Sequence, residues 1–310
     1  MDSKCKNRAT LIGLAAVVLW SSIVGLIRGV SESFGPTGGA AMMYTVASVF
    51  LLFSVGFPQL KTFPKRYLYV GSLLFVAYEL CLSLSIGYAN SAQQAIEVGM
   101  VNYLWPTFTL ISAIVFNKQR ANFWVIPGFF LSMLGICWVL GGDRGLDFAE
   151  MAANVLANPL SYGLAFAGAV IWAAYCTVTT RYAEGKNGVT FFFMLVAAAL
   201  WAKYLVAGGG QMHVSTLGIV YLVLAACAMG FGYAAWNVGI LRGNVTVLAG
   251  ASYFIPVFSA AISAMLLQAP LSFAFWQGAA MVCGGSILCW TATRSRRPTG
   301  VTSKAVDVRE

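Results

Sequence analysis

Apolar runs of roughly 20 residues, separated by short polar segments, make up most of this chain. Runs of this length cross the hydrocarbon core of a bilayer as α-helices, because a helix satisfies its own backbone hydrogen bonds. The pattern predicts an all-α integral membrane protein with ten transmembrane helices. The predicted spans cover residues 9–27, 36–57, 67–88, 92–116, 124–140, 160–182, 189–208, 214–239, 245–267 and 273–292.

A proline interrupts the fourth and the ninth predicted spans in matching positions. Proline inside a helix removes the hydrogen bond to the carbonyl four residues back, which belongs to Asn102 for Pro106 and to Ser252 for Pro256. Two broken spans at corresponding places of a repeat are typical of a transporter binding site. We expect Pro106 and Pro256 to act as hinges or gates, and a kink that only shapes helix packing is the alternative.

The same offset of 150 residues that separates the prolines also relates glycines of the fifth and tenth spans. Gly128 and Gly135 match Gly278 and Gly285, and residues seven apart share one helix face, so we expect close helix packing there. Five spans per half is an odd number, which predicts two inverted five-helix repeats around a central cavity. The predicted parts are a first repeat 1–142, a connector 143–157, a second repeat 158–293 and a tail 294–310.

Basic residues are concentrated on one side of the predicted membrane. Nearly all of the 19 Lys and Arg residues fall on one side, whereas the other side takes only Arg28 and Arg144, and Lys203 lies inside the seventh span. This asymmetry predicts that both termini are cytoplasmic. Only 9% of the residues are charged, and the net charge of +9 is spread between apolar runs. We therefore expect the lipid bilayer as a partner and no nucleic acid.

The residues that catalysis or metal binding requires are scarce. The seven cysteines form no C-x-x-C pair, and His213 is the one histidine. We therefore expect no metal, no cofactor and no disulfide. The sequence also lacks the G-x-S-x-G and H-E-x-x-H motifs, which argues against an intramembrane enzyme. A membrane sensor is a third possibility, but no soluble output domain supports it. A secondary membrane transporter is the leading interpretation.

Three segments carry a resemblance to a known family: Leu19 to Ser22, Ser91 to Ala95 and Asn102 to Pro106. With the ten spans and the paired prolines, they resemble the drug/metabolite transporter superfamily over nearly the whole chain, and within it the bacterial aromatic amino acid exporters. The resemblance implies alternating-access export of aromatic and other neutral amino acids across the bacterial inner membrane, and we expect a monomer. Export of another small metabolite or drug is the alternative.

Small multidrug members of that superfamily use a glutamate in their first span to bind cations and protons. The equivalent first and sixth spans of this chain carry no acidic residue, which argues against cation export by that mechanism.

Charged and polar residues within the spans are the candidates for substrate binding. Glu79 and Lys203 are costly in lipid and are therefore functional candidates, although Lys203 is also able to extend to the interface. Glu79 is expected either to carry a proton or to orient the substrate. Polar residues that bond helices together, and aromatic residues that only pack, are the alternatives. The predicted substrate-binding residues are Trp20, Tyr78, Glu79, Gln94, Asn102, Tyr103, Trp105, Trp172, Tyr175, Lys203, Tyr233, Trp236, Asn237, Ser252 and Tyr253.

Overall fold

The structure, a computed structural model, describes residues 3–293. The predicted tail 294–310 lies outside the described residues. The described chain is built from helices and short turns, and the all-α prediction is confirmed. The helices are α1 (Ser3–Ser21), α2 (Ile23–Phe34), α3 (Pro36–Ser54), α4 (Ser72–Gly87), α5 (Ala92–Asn102), α6 (Trp105–Asn117), α7 (Val125–Leu140), α8 (Phe148–Ala157), α9 (Pro159–Tyr182), α10 (Val189–Val206), α11 (Thr216–Arg242), α12 (Val245–Ser252), α13 (Ile255–Leu267) and α14 (Phe273–Thr293).

Seven helical stretches of the described chain are long and apolar enough to cross a membrane. An eighth candidate is the pair α1 and α2, which meet at an angle of 43°. The helices α7 and α13 are apolar but shorter, with 16 and 13 residues. The seven stretches are Pro36–Ser54, Tyr67–Gly87, Ala92–Asn117, Pro159–Tyr182, Val189–Val206, Thr216–Ile240 and Phe273–Thr293.

Helix breaks occur at both predicted prolines and at one place that the sequence analysis did not predict. Pro106 and Pro256 stand in the first turns of α6 and α13, where a missing N–H costs nothing. The unpredicted break follows Ser21, whose hydroxyl donates to the carbonyl of Val17 at 2.7 Å. Ser22 likewise donates to the carbonyl of Leu19 at 2.7 Å. Hydroxyl-to-backbone bonds often accompany helix bends, and at this point the predicted span 9–27 is divided between α1 and α2.

The predicted connector contains a helix of its own, α8. Asp147 begins it, because its Oδ1 accepts hydrogen bonds from the backbone N–H groups of Ala149 at 3.0 Å and Glu150 at 3.1 Å. Aspartate is a preferred residue at this position. Asn154 then ties α8 to the end of α7 by donating to the carbonyl of Leu140 at 2.9 Å.

The two predicted halves interleave. The most extensive helix contacts pair α7 with α14, α1 with α11, α3 with α10 and α4 with α9. At the first of these pairs, a Cβ added to Gly135 would lie 2.7 Å from the carbonyl oxygen of Gly278. A Cβ added to Gly285 would lie 2.5 Å from the carbonyl oxygen of Gly128. The predicted role of these glycines in close helix packing is therefore confirmed.

Candidate functional site

A cavity of about 380 Å³ lies between helices of both halves. This volume falls within the range of small-molecule sites, which runs from roughly 300 to 1,000 Å³. Nine of its 23 described lining residues are aromatic, and the one charged residue among them is Glu79. The aromatic lining residues are Trp20, Phe75, Tyr78, Tyr103, Trp105, Trp172, Tyr175, Tyr233 and Trp236.

The cavity extends from the middle of the helices toward one end of the molecule. At that end the lining includes Thr180 near the end of α9, Asn187 just before α10 and Ile240 near the end of α11. The neighbouring residues Arg181 and Arg242 belong to the side that the charge asymmetry predicts to be cytoplasmic. The cavity therefore points toward the predicted cytoplasmic side.

The rings of the wall support one another. The centroids of Tyr78 and Trp172 lie 4.4 Å apart, and those of Trp172 and Tyr175 lie 5.1 Å apart. Trp20 meets Tyr233 at 5.1 Å with an interplanar angle of 67°, and the centroid of Tyr233 in turn lies 6.4 Å from that of Trp172. Tilted and edge-on contacts at these distances are the favoured arrangements of aromatic pairs. The wall therefore offers flat apolar surfaces in fixed orientations, which suit a ring.

Glu79, which also borders the cavity, stands at the centre of a hydrogen-bond chain. Its side chain has 0% exposure, and its Oε2 accepts from the hydroxyl of Tyr44 at 2.7 Å. Its Oε1 accepts from the hydroxyl of Tyr233 at 2.8 Å. Ser83 donates in turn to the oxygen of Tyr44 at 3.1 Å. Because both carboxyl oxygens accept, the arrangement suits an ionised carboxylate.

Asn102 links the end of α5 to α9. Its Nδ2 donates to the carbonyl of Ala165 at 3.2 Å, and a Cβ on Gly168 would lie 2.9 Å from that nitrogen. Because Gly168 has no side chain, there is room for the amide of Asn102 beside it. Two further amides, Asn187 and Asn237, line the cavity.

The structure brings most of the predicted site residues together around this cavity. The predicted residues found in the lining are Trp20, Tyr78, Glu79, Asn102, Tyr103, Trp105, Trp172, Tyr175, Tyr233, Trp236 and Asn237.

Four predicted residues lie outside the lining. Gln94 accepts from the backbone N–H of Asn90 at 2.6 Å near the start of α5. Lys203 is exposed on α10. Ser252 donates to the carbonyl of Ala249 at 2.9 Å, and Tyr253 packs against Trp290 with centroids 5.7 Å apart. These residues share apolar spans with lining residues, but their helix faces point elsewhere.

Several residues of the site were not predicted from the sequence. Tyr44 holds Glu79 from α3, and Phe75, Met229 and Ile255 complete the wall. Apolar wall residues carry no signal that separates them from ordinary packing. Asn187 lies in a polar turn between two spans, where an amide is unremarkable by sequence alone.

Hydrogen bonds close the end of the molecule opposite the cavity. Tyr162 on α9 donates to Oε2 of Glu97 on α5 at 2.8 Å. Asn158, which precedes α9, donates at 2.9 Å both to the carbonyl of Tyr88 and to Oε1 of Gln94. These bonds join α5 and the segment before it to the start of α9. The predicted outer side is therefore closed in this conformation.

Comparison with known proteins places the chain in a family. The model of the EamA-like transporter family matches residues 7–141 and 159–291. Proteins named aromatic amino acid exporter YddG are similar: that of Escherichia coli (strain K12) is 59% identical over 93% of this chain and 99% of its own length. That of Salmonella typhimurium (strain 14028s / SGSC 2262) is 58% identical over 94% of this chain and 99% of its own length. A solved structure titled "Crystal structure of protein" has a TM-score of 0.66 at 25% identity, over 92% of this chain and 99% of the other. With family matches that cover both halves, this chain belongs to the EamA-like transporter family.

Proposed function

We propose that this protein exports aromatic and other neutral amino acids across the bacterial inner membrane. The observation that carries the proposal is the cavity of about 380 Å³ with nine aromatic residues in its described lining. The similar proteins from Escherichia coli and Salmonella typhimurium are named aromatic amino acid exporters, which supports the aromatic part of this substrate class. Flat rings in the wall favour offset or edge-on contact with a substrate ring.

The proposed architecture is ten spans in two inverted five-helix repeats, with both termini in the cytoplasm, in a monomer. The two segments matched by the family model fall within the predicted repeats 1–142 and 158–293. The helices α12 and α13, separated only by Tyr253 and Phe254, together supply the ninth span. The shorter α7 supplies the fifth and packs against α14. The distribution of Lys and Arg supports the orientation.

The proposed mechanism is alternating access, in which the cavity faces first one side and then the other. Helix breaks lie next to the cavity, because Trp105 follows one break and Ile255 follows another, and both residues line the wall. Broken helices bend at low cost when neighbouring protein satisfies the freed backbone groups. Opening of the outer side requires the contact between Glu97 and Tyr162 to separate.

Transport by purified protein in liposomes tests this proposal. Exchange of labelled phenylalanine, tyrosine and tryptophan is expected, with little exchange of lysine or glucose. Trp172→Ala removes a ring that touches Tyr78 and Tyr175, and we expect the half-saturating concentration to rise about tenfold, or ~1.4 kcal/mol.

Trp201→Ala is the matched control, because Trp201 donates to Thr45 at 3.0 Å on α3 and does not line the cavity. An equal effect of both variants would argue against binding at this cavity. Exchange of other metabolites in place of amino acids would favour the alternative substrate class on the same fold.

A further inference from the structure

The direction of the hydrogen bond between Tyr233 and Glu79 determines which ligand groups the hydroxyl of Tyr233 is able to bind in the cavity. The phenol carries one proton, and it is donated to Glu79 at 2.8 Å. Tyr233 lines the cavity and is only half-buried. Toward a ligand its oxygen therefore presents lone pairs only. Such an acceptor, with a carboxylate directly behind it, favours an N–H donor and disfavours a carboxylate.

The charge balance of the site points in the same direction. The two ion pairs found in residues 3–293 are Arg28 with Glu32 and Arg144 with Asp147, so Glu79 has no cationic side chain as partner within that range. The described lining contains no Lys, Arg or His. A buried anion without a counter-charge is costly in a low-dielectric interior. A cationic ligand in the cavity reduces that cost.

The aromatic wall adds to the preference for a cation. Trp20 and Trp236 lie beside Tyr233, with the centroids of Trp20 and Trp236 5.2 Å apart. Ring faces attract ammonium groups, most strongly where water is excluded. The lining groups that remain for a substrate carboxylate are neutral, such as the amides of Asn187 and Asn237. A ligand that lacks the substrate carboxylate therefore loses no ion pair with the protein.

We propose that the cavity also binds and transports aromatic primary amines, which have the ring and ammonium of an aromatic amino acid but no carboxylate. Their ammonium donates to Tyr233 in front of Glu79, and their ring lies against the wall that contains Trp172. This inference rests on the proposed transport of aromatic substrates through this cavity. It adds a second substrate class, and it assigns Tyr233 and Glu79 to selection of the ammonium.

Three compounds with one ring separate the roles of the two charges: phenylalanine, phenethylamine and 3-phenylpropionate. The assay is uptake of labelled phenylalanine by liposomes that contain the purified full chain, with each compound as competitor. Phenethylamine is expected to halve uptake at a concentration within about tenfold of that of unlabelled phenylalanine, whereas 3-phenylpropionate is expected to need about 100-fold more. Counterflow of labelled phenethylamine, corrected with protein-free liposomes, then measures transport itself.

Glu79→Gln removes the negative charge while it keeps the side-chain shape. We expect inhibition by phenethylamine to weaken at least about tenfold, which corresponds to ~1.4 kcal/mol. Tyr233→Phe keeps the ring and removes the acceptor, and we expect a similar loss. Glu97→Gln is the matched control, because Glu97 is also buried and held by a tyrosine hydroxyl but does not line the cavity. It should leave the ratio of the inhibition constants of phenethylamine and 3-phenylpropionate at its wild-type value, whereas Glu79→Gln and Tyr233→Phe should change it.

The wild-type competition needs no variant and decides the inference even if Glu79→Gln does not fold. The inference is wrong if phenethylamine fails to compete while phenylalanine is exchanged, or if 3-phenylpropionate competes as well as phenethylamine. It is also wrong if folded Glu79→Gln and Tyr233→Phe keep wild-type inhibition by the amine. Counterflow of phenethylamine without exchange of phenylalanine would instead refute amino acid export and leave the amine site intact.

Discussion

Replacement of Gly135 by alanine tests the contact between α7 and α14. An added Cβ would lie 2.7 Å from the carbonyl oxygen of Gly278 and 2.8 Å from the backbone nitrogen of Val282. Both are backbone atoms, so the methyl group fits only if the two helices move apart. Gly284→Ala is the matched control on the same helix pair, because its nearest neighbour is Cδ2 of Leu131 at 3.8 Å, an ordinary contact.

The magnitude follows from packing and helix propensity together. Overpacking of a close-packed contact costs about 1–3 kcal/mol. In both variants, replacement of glycine by alanine inside a helix stabilises the folded state by up to about 1 kcal/mol, because alanine has the higher helix propensity. We therefore expect Gly135→Ala to be less stable than Gly284→Ala by about 1–3 kcal/mol, the packing cost that Gly284→Ala avoids.

Thermal unfolding of the purified protein in detergent, followed by tryptophan fluorescence, measures this difference. Gly135→Ala should unfold at a lower temperature than the wild type, and Gly284→Ala at the same or a higher temperature. If Gly135→Ala unfolds at or above the temperature of Gly284→Ala, the close approach of α7 and α14 at Gly135 does not contribute to stability.

Three further predictions concern conformational change and topology. Combined Pro106→Ala and Pro256→Ala should fold but exchange substrate severalfold more slowly, because intact helices resist bending, and wild-type exchange rates would contradict this. Tyr162→Phe removes the bond to Glu97 and should increase labelling of Cys176, the one cysteine in the described lining of the cavity, by a membrane-impermeant thiol reagent applied to the predicted outer side, whereas unchanged labelling would show that the bond does not hold that side closed. Reporter fusions after Glu310 and within residues 143–157 should report opposite sides of the membrane, and the same side for both would refute the span count.

The sequence predicted the features that depend on local composition. Apolar runs located the helices. A proline inside a run located two of the breaks, because proline has no backbone N–H and removes a helix hydrogen bond whatever its neighbours are. The break after Ser21 was not predicted, because a serine hydroxyl that bonds back to the helix backbone does not by itself mark a break: Ser48 makes the same bond inside the unbroken α3. The helix α8 was also missed, although Asp147 at its start is a usual capping residue.

The composition of the site was harder to predict than its position. Trp20, Trp172 and Tyr233 were predicted from their places within spans, and the cavity contains them. Tyr253 was predicted on the same grounds and faces Trp290 instead. The face that a helix turns inward depends on its neighbours, which an apolar run does not identify. Tyr44 was missed for a related reason, since its partner Glu79 lies on another helix.

The interleaving of the two halves has a consequence for biosynthesis. The main packing partners of α1 and α4 are α11 and α9, respectively. The helices that are synthesised first are therefore inserted into the membrane before their partners have been made. Chains generally assemble as they are synthesised, with the N-terminal part first. In the interim, lipid or an insertion factor must cover the early helices, including the buried carboxylate of Glu79, which meets Tyr233 only after α11 is inserted. A truncation within the second half therefore deprives the first half of its partners, and such a product becomes a substrate for membrane proteases.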